Sequence, residues 1–303
     1  MVDITHKSTT LRSAIAQATV KVSSQATIDA VVNNTVPKGN VFEMAKTAGL
    51  FGVKKTSEMI PDCHPLPIEY THVSYEIDGL NIIISMEVKT IYRTGVEVEA
   101  MHGVSVVALT MYDMLKPIDK GIEIQNIKLL EKKGGKSDFS DKFRKDITAS
   151  VVVCSDSIAA GQKEDKAGKA IIERLEKYGI SIIHSTVIPD EKAAIEAEVN
   201  SATYKNTDLL IFTGGTGMSN RDVTPETLLP LLDREMPGVT EAIRSYGQDR
   251  TPFSMLSRSV AGVKDKTVIL AVPGSTKGAS ESIDAVFPSL LHVFRIFKGA
   301  RHD

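Results

Sequence analysis

The sequence has no tryptophan, only two cysteines and no long apolar run. Cys63 and Cys154 stand far apart and neither belongs to a CxxC pair, so the sequence supports neither a disulfide framework nor a cysteine-based zinc site. No apolar stretch approaches the roughly 18 residues of a membrane span, and the first residues lack an apolar signal core. We therefore expect a cytoplasmic protein with no membrane partner.

The sequence also has little net charge. Its 36 lysines and arginines nearly balance 38 aspartates and glutamates, which gives a formal charge of −2 at pH 7. This balance provides no general attraction to nucleic acid, so we expect no nucleic-acid partner and only local anion sites. A hydrophobic content of 42% with 24% charged residues is typical of a globular protein, and 303 residues favour two domains.

A polar, charged stretch without periodicity, residues 136–147, separates two halves of different character. We predict domains at residues 1–140 and 148–303, joined by a linker at 141–147. In the first half, apolar and polar residues alternate on both sides of Asp78-Gly79, as in a hairpin. A helical pattern then runs to Pro117, which cannot continue a helix. These features predict an α+β domain with a ferredoxin-like antiparallel sheet and helices.

The second half alternates predicted strands and helices. Repeated βα units with apolar strands predict a doubly wound α/β domain with a mostly parallel sheet. The last helical pattern contains Pro288, where we expect a disturbance. Ligands of such sheets bind beyond the carboxyl ends of the strands. Those ends carry "CSDS", "VIPDE", "TGGTG" and "VPGS".

These four strand ends bring together residues suited to phosphate. Backbone N–H groups of glycine turns can receive phosphate oxygens, and Mg²⁺ can lie between phosphates and one or two aspartates. The combination indicates nucleotidyl or phosphoryl transfer. The candidates are the turn residues Gly214, Gly215, Gly217 and Gly274, the hydroxyls of Ser155, Thr216 and Ser275, and the carboxylates of Asp156, Asp190 and Asp222.

The residues alone leave a plainer interpretation open. Glycines also serve tight turns that bind nothing. Asp222 can equally cap a helix whose first turn holds Pro225. No Gly-x4-Gly-Lys-Ser/Thr motif is present, so this is not a P-loop.

Six blocks of the second half occur in the order found in the molybdopterin adenylyltransferase family, which residues 147–303 resemble. They are "CSDSIAAGQKEDKAG", "VIPDE", "TGGTGMSNRDVTPE", "REMPG", "TPFSMLSRSVAG" and "PGS". The resemblance implies that Mg-ATP adenylylates the pterin molybdopterin and releases pyrophosphate. By position it makes Asp190 and Asp222 catalytic and Mg²⁺-binding. It places the glycine turn on the phosphate side, and Ser155, Asp156 and Ser275 in the pocket.

The first half has three groups of candidate residues. Prolines surround Cys63-His64 in "MIPDCHPLP", although adjacent side chains rarely form a nucleophile pair and such residues are often only packed. Asp113 and Lys116 share a helix face, either as a surface ion pair or as a proton-transfer pair. The lysines of "EKKGGKSDF", including Lys132 and Lys136, suit an anionic substrate or a solvated loop.

Residues 1–139 resemble the cyclic pyranopterin monophosphate synthase family through "KGNVFEMAKTAG", "KKTSEMIPDCHPL", "TGVEVEAMHGVSVVALTMYDMLK" and "LLEKKGGKSDF". The resemblance implies conversion of cyclised 7,8-dihydro-GTP into cyclic pyranopterin monophosphate and pyrophosphate, with no cofactor. It makes Asp113 and Lys116 catalytic. It assigns substrate binding to Lys38, Cys63, His64, Glu97, Glu99, Lys132, Lys136 and Val98, the last standing where the family has methionine.

Together the two halves predict a bifunctional enzyme of molybdenum cofactor biosynthesis. Its partners would be small molecules: cyclised dihydro-GTP, molybdopterin and ATP. The alternative is that only the first half is catalytic and the second is a pterin-binding or scaffolding module. On a continuous helix Glu99 and Asp113 would lie ~20 Å apart. We therefore expect a homo-oligomer whose sites are shared between subunits, and the family resemblance implies a hexamer or an assembly based on trimers.

Overall fold

The structure, a computed structural model, describes residues 1–135, 146–297 and 299. It divides into two units, Met1–Phe139 and Ser140–Asp303. Lys136 and most of the predicted linker, residues 141–145, lie outside the described residues. Ile147, at the predicted end of that linker, is buried in the core of the second unit. Within the described ranges, no helix combines the length and apolarity needed to cross a lipid bilayer.

The first unit is a four-stranded antiparallel sheet with helices, in the βαββαβ order of a ferredoxin-like fold. The sheet order β2-β3-β1-β4 and the hairpin turn at Gly79 (φ +57°) confirm the prediction. Its strands are β1 (Thr10–Lys21), β2 (Tyr70–Asp78), β3 (Asn81–Tyr92) and β4 (Glu123–Lys133). Its helices are α1 (Gln25–Val32), α2 (Val41–Lys54), α3 (Thr56–Met59) and α4 (Glu97–Leu115).

The long helix α4 packs closely on the sheet and on α2 because its middle residue there is glycine. A Cβ atom on Gly103 would lie 2.2 Å from Met86 Sδ and 2.4 Å from Val53 Cγ2. As predicted, helix α4 runs without interruption from Glu97 to Leu115 and stops before Pro117. One continuous helix carries candidate residues at both of its ends.

The second unit is a six-stranded sheet in the order β6-β5-β7-β10-β9-β8. Its strands are β5 (Thr148–Cys154), β6 (Ser181–Ile188), β7 (Leu209–Thr213), β8 (Arg234–Glu235), β9 (Val260–Lys264) and β10 (Thr267–Val272). Its helices are α5 (Asp156–Ala159), α6 (Ala167–Lys177), α7 (Lys192–Tyr204), α8 (Thr224–Leu228), α9 (Pro237–Gln248), α10 (Thr276–Val286) and α11 (Val293–Ile296). Short 3₁₀ turns cover Leu229–Leu231, Pro252–Leu256 and Ser289–His292.

Both faces of this sheet are buried, as its apolar strands predict. Leu209 and Ile211 of β7 belong to one core cluster, while Leu210 and Phe212 belong to the cluster on the other face. Such burial stabilises the fold by ~1.5–3 kcal/mol for each large apolar side chain. The predicted disturbance at Pro288 is present, since α10 ends at Val286.

Strands β6, β5, β7 and β10 are parallel, which confirms the mostly parallel sheet. Strand β9 instead runs antiparallel to β10, and β8 antiparallel to β9. Val260 at the start of β9 pairs with Ala271 near the end of β10. The segment before β9 therefore reaches the same sheet edge as the carboxyl ends of the parallel strands.

A buried carboxylate fixes the chain beyond α4. Asp119 is only 4% exposed and accepts hydrogen bonds from Ser23 N and Oγ, Thr27 Oγ1 and Gly121 N, at 2.6–3.0 Å. These bonds tie the segment after α4 to the end of β1 and the start of α1. Although burial acts in the opposite direction, the donors on Ser23, Gly121 and Thr27 lower the pKa of Asp119 to about 2.

We expect Asp119→Asn to destabilise the first unit by about 2–3 kcal/mol at pH 7, because an amide presents N–H groups to donors that now meet an oxygen. The folded pKa lies below the unfolded value of ~3.9, so this stabilisation is complete above pH ~4 and is lost as the pH falls towards 2. Urea-dependent hydrogen exchange of β1 peptides at pH 7 and pH 3 measures both effects. The control, Asp29→Asn on exposed α1, should cost less than ~0.5 kcal/mol. Equal stability of Asp119→Asn and wild type at pH 7 would contradict the assignment.

The turn after β7 leaves no room for a side chain. Gly214 has φ +107°, and a Cβ atom there would lie 2.1 Å from the carbonyl oxygen of Cys154. Gly161 also has positive φ, +71°, but nothing lies within 4 Å of its Cβ position. Substituting each glycine therefore distinguishes two costs: backbone strain, which arises at both positions, and collision with neighbouring backbone, which arises only at Gly214.

We expect Gly214→Ala to cost about 2–5 kcal/mol, from the strain together with displacement of neighbouring backbone. Gly161→Ala should cost only the strain, about 1–2 kcal/mol. Urea-dependent hydrogen exchange of β7 peptides, and of peptides flanking residue 161, provides the comparison. Equal losses in the two variants would show that the contact with Cys154 does not limit this turn.

Candidate functional site

Three charged residues meet at the carboxyl end of α4. The Lys116 ammonium lies 2.6 Å from Asp113 Oδ1, and the Lys38 ammonium lies 2.6 Å from Asp113 Oδ2. Lys38 also donates to the carbonyl oxygen of Asp113 at 2.8 Å. The predicted pair of Asp113 and Lys116 is thus in contact, and Lys38 joins it from the loop before α2.

The two lysines keep this aspartate ionised. Hydrogen bonds from Lys116 and Lys38 lower the pKa of Asp113 to about 2, and the same contact with Asp113 raises the pKa of Lys116. Lys116 therefore carries its proton at neutral pH. In this arrangement it can donate a proton or neutralise an anion, and it is not a base.

A second group lies at the amino end of α4. The Cys63 thiol donates to Glu99 Oε1 at 3.0 Å, and the Lys132 ammonium lies 3.1 Å from Glu97 Oε1. Glu99 is only 2% exposed, and its Oε2 is buried without a hydrogen-bond partner. Burial raises the pKa of Glu99, and burial together with Glu99 raises the pKa of Cys63 to about 12. Cys63 is therefore a protonated donor and not a thiolate nucleophile.

Other predicted residues of the first unit take separate positions. His64 Nε2 donates to the carbonyl oxygen of Val2 at 2.8 Å, so it does not contact Cys63 or Glu99 through that nitrogen. Val98 lies on the first turn of α4 and is 43% exposed. Lys136 lies outside the described residues.

The predicted residues of the first unit therefore form two groups and not one. Glu99 and Asp113 lie fourteen residues apart on the continuous helix α4, which corresponds to ~20 Å along its axis. A single small substrate cannot contact both ends of α4 in one chain.

In the second unit, the predicted glycine turn lies between β5 and β10. The N–H of Gly214 donates to the carbonyl oxygen of Val272 at 3.1 Å, so it is part of the framework and does not face a ligand. A Cβ atom on Gly274 would lie 3.0 Å from Gly214 Cα, so two turns pass each other here. Gly215 (φ +60°), buried Thr216 and Gly217 continue the turn.

The three predicted aspartates are neighbours. Asp156 and Asp190 bind each other's backbone N–H groups, at 3.3 Å to Asp190 Oδ2 and 3.1 Å to Asp156 Oδ1. Asp190 Oδ1 is buried without a hydrogen-bond partner, and a Cβ atom on Gly215 would lie 3.0 Å from it. Burial raises the pKa of Asp190, and the nearby charges of Asp156 and Asp222 add to the rise.

Asp222 lies beside the glycine turn and does not cap a helix. Its Oδ2 accepts from Ser219 N at 2.8 Å, whereas the helix α8 begins after Val223 with no side-chain cap. A Cβ atom on Gly217 would lie 2.9 Å from the same oxygen. The helix-cap interpretation of Asp222 is therefore wrong.

Ser155 and Ser275 do have capping contacts. Ser155 Oγ accepts from Ile158 N at the start of α5, and Ser275 Oγ accepts from Gly278 N at the start of α10. Both serines lie at strand ends on the site edge. Their predicted role in lining the pocket remains a prediction.

The residues present fit the implied magnesium ion. The described residues contain no group of three or more histidine, cysteine, aspartate or glutamate side chains that could hold a metal on their own. Asp190 and Asp222 are two carboxylates next to the turn, and Asp190 Oδ1 has no protein partner. Mg²⁺ is commonly held by one or two carboxylates with substrate phosphates supplying further oxygens.

Two arginines of this site were missed in the sequence. Arg221 binds both carboxylate oxygens of Asp156 at 2.8–3.1 Å. Arg258 donates to carbonyl oxygens of the turn and of the loop carrying Asp222. Because Arg221 stands next to Asp222 in "NRD", the sequence does indicate that Arg221 lies near the site. Arg258 gave none, because its position depends on the antiparallel direction of β9.

Comparison with known proteins gives two family matches. Residues 1–135 match the MoaC family, and residues 150–292 match a family described as a probable molybdopterin binding domain. Each match covers one of the two units.

Similar proteins extend over the whole chain. A molybdenum cofactor biosynthesis bifunctional protein of Chlorobaculum tepidum is 39% identical over 302 residues, covering 100% of this chain and 96% of the relative. A protein of the same name from Synechococcus elongatus is 35% identical over 315 residues, covering 100% and 98%. A cyclic pyranopterin monophosphate synthase of Syntrophomonas wolfei is 48% identical over 139 residues, covering 45% of this chain and 88% of the relative. The chain, with both units and full-length similarity, belongs to the family of bifunctional molybdenum cofactor biosynthesis proteins.

Proposed function

We propose that the two units catalyse two separate reactions. The first converts cyclised 7,8-dihydro-GTP into cyclic pyranopterin monophosphate and pyrophosphate. The second adenylylates molybdopterin with Mg-ATP. The observation that carries the first assignment is the contact of Lys38 and Lys116 with Asp113, together with the similarity to a relative named cyclic pyranopterin monophosphate synthase.

In the first unit, two lysines supply positive charge, and one of them also holds a transferable proton. Lys38 and Lys116 supply positive charge for the triphosphate of the substrate. Lys116 holds a proton that it can give to the rearranging ring, and the Asp113 carboxylate keeps that ammonium in place. A substrate oxygen bonds to the α-phosphorus to close the cyclic monophosphate, and the bond between the α- and β-phosphates breaks. Pyrophosphate leaves with the electron pair, and the lysines neutralise its negative charge.

In the second unit, the partnerless oxygen of Asp190 beside the glycine turn carries the assignment. Asp190 and Asp222 would hold Mg²⁺, which when bound supplies charge neutralisation for the triphosphate of ATP. The backbone beyond Gly214 would hold phosphate oxygens. An oxygen nucleophile of the pterin then bonds to the α-phosphorus of ATP, the bond between the α- and β-phosphates breaks, and pyrophosphate takes the electron pair.

A second candidate function concerns the second unit alone. Its matching family is described as a probable molybdopterin binding domain, which also suits a module that binds or presents the pterin without transferring AMP. The contacts of Asp190 and Asp222 favour the enzyme, because pterin binding alone does not require two adjacent carboxylates. Assays of the two units separate these alternatives.

We expect the full chain to release pyrophosphate in two independent assays, one with cyclised dihydro-GTP and one with molybdopterin and Mg-ATP. Asp113→Asn should lower the first activity by about 10²–10⁴-fold and spare the second. Asp222→Asn should do the reverse, so each variant is the control for the other. Molybdopterin binding by calorimetry without AMP transfer would support the binding module, and pyrophosphate in neither assay would overturn both assignments.

We further propose that the chain forms a homo-oligomer, a hexamer or one based on trimers, with each first-unit site shared between two subunits. The ~20 Å separation of Glu99 and Asp113 along α4 supports the shared site, because two chains can bring opposite helix ends together. We expect the protein to be cytoplasmic. We expect its partners to be small-molecule substrates.

Coexpressed Glu99→Gln and Asp113→Asn chains should regain activity that neither variant has alone. With random assembly, about a quarter of the shared sites combine an intact Glu99 from one chain with an intact Asp113 from another. The measurement is pyrophosphate release by the purified mixed oligomer. The matched control pairs Asp113→Asn with Lys116→Met, two changes at the same end of α4, and should give no recovery. Absence of recovery in the first mixture would exclude a site shared in this way.

A further inference from the structure

Arg258 contacts four residues of the loop that carries Asp222. Its Nε donates to the carbonyl oxygen of Gly217 at 2.8 Å, and its Nη2 donates to the carbonyl oxygen of Asp222 at 2.8 Å. Its Nη1 contacts the Glu226 carboxylate on α8. Its backbone N–H also donates to the carbonyl oxygen of Thr216 at 2.9 Å. One residue thus spans the loop from the glycine turn to the first turn of α8.

The loop has other contacts as well: Arg221 binds the Asp156 carboxylate, Val223 packs against the core, and Leu228 of α8 is buried in it. Helix α8 begins after Val223 without a side-chain cap, and the Asp222 carboxylate closes a small turn with Ser219. Thr224 N donates to Gly215 O at 3.2 Å, which is a long hydrogen bond. Arg258 adds short contacts that join the start of the loop, at Gly217, to its end, at Asp222.

The arginine reaches this loop from outside it. Residue 258 lies just before β9, the strand that runs antiparallel to β10 and begins at the edge of the sheet where the glycine turn lies. Its side chain is 30% exposed, and three of its nitrogens are engaged with protein oxygens. The Arg258 guanidinium is therefore engaged by oxygens of the loop.

We propose that Arg258 is a positioning residue for the second unit, and that it holds loop 216–226 so that the Asp222 carboxylate faces the glycine turn. This inference rests on the proposed adenylyl transfer. Arg258 acts through the loop and does not touch the reacting atoms. Displacement of a positioned group by about 1 Å can lower a rate by about 10²-fold, so its loss should affect kcat strongly.

Only a planar guanidinium can make these contacts together. Three acceptors in different directions, two carbonyl oxygens and one carboxylate, match the fork of an arginine. Lysine carries one compact ammonium and cannot reach all three. We therefore expect Arg258→Lys to behave like Arg258→Gln and not like wild type.

The experiment compares Arg258→Gln, Arg258→Lys and Arg258→Ala with wild type in the full chain. We expect kcat for AMP transfer to molybdopterin to fall by about 10²-fold, while KM for Mg-ATP rises by a clearly smaller factor, below about tenfold, because Asp190 still holds the metal. Guanidinium chloride at millimolar concentration should restore part of kcat in Arg258→Ala. Hydrogen exchange of peptides covering 214–226, measured without any substrate, should accelerate by about tenfold or more in all three variants.

The matched control is Arg174→Gln. Arg174 has a similar exposure, 28%, and also contacts a carboxylate, that of Asp284 at 3.3 Å, but it joins α6 to α10 away from the turn. The Arg174→Gln substitution should destabilise the unit. It should not change kcat for AMP transfer or hydrogen exchange of peptides 214–226, and added guanidinium should have no effect on its activity. A general structural role for Arg258 would instead make the two arginines equivalent, and that outcome overturns the inference.

The results also separate this inference from the proposed function. If wild type transfers no AMP, the proposed function fails, while the exchange of 214–226 still tests the position of the loop. If wild type is active and Arg258→Gln keeps kcat within about threefold, the positioning role is wrong and the proposed function stands.

Discussion

Each unit contains a carboxylate oxygen that is buried without a hydrogen-bond partner, and the proposed chemistry of the second unit depends on one of them. They are Glu99 Oε2 in the first unit and Asp190 Oδ1 in the second. Burying a charged oxygen without a partner is unfavourable, which is why burial raises the pKa of both residues. Their neighbours stabilise one oxygen and leave the other: Cys63 donates to Glu99 Oε1, and the Asp156 N–H donates to Asp190 Oδ2. Such half-satisfied carboxylates are candidates for function.

Other acids at these sites have full sets of partners and a different role. Lys38 and Lys116 hold Asp113 ionised, and donors on Ser23, Gly121 and Thr27 do the same for Asp119. Asp113 is exposed and keeps two ammonium groups together, so it organises positive charge. Asp119 is buried and fixes the segment that follows Lys116. An acidic side chain can therefore organise positive charge, fix a loop or leave an oxygen open to a ligand, depending on its neighbours.

Much of the fold follows from local pattern. The hairpin at Gly79, the long helix α4 and the apolar strand β7 were predictable because each has a strong periodicity or a required turn residue. Strand β1 was not, since its buried face consists of Ala14, Ala16, Ala18 and Val20, and small side chains give a weak apolar signal. The direction of β9 was not predictable either, because sequence pattern does not distinguish a parallel strand from an antiparallel one at a sheet edge.

The same limit applies to the sites. The residues Asp190, Asp222 and Asp113 stand in recognisable motifs, and the ~20 Å separation of Glu99 from Asp113 follows from the helical pattern before Pro117, because a continuous helix rises about 1.5 Å per residue. Whether Asp222 caps a helix depends on where α8 starts, and the structure places that start after Val223. Contacts between distant segments, such as Arg258 with the loop of Asp222, have no local signature at all.

The charges of the protein side chains in the second unit by themselves support the proposed metal. Of the three neighbouring aspartates, Asp156 is balanced by Arg221 through a two-oxygen contact. Asp190 and Asp222 then remain as a pair of like charges: burial raises the pKa of Asp190 first, and the charges of Asp156 and Asp222 add to the rise. A triphosphate would add further negative charge at the glycine turn, while Arg221 is engaged with Asp156 and Arg258 with the loop that carries Asp222. A divalent cation between these two carboxylates and the phosphates would resolve both repulsions, which is why the proposed reaction needs Mg-ATP and not ATP alone.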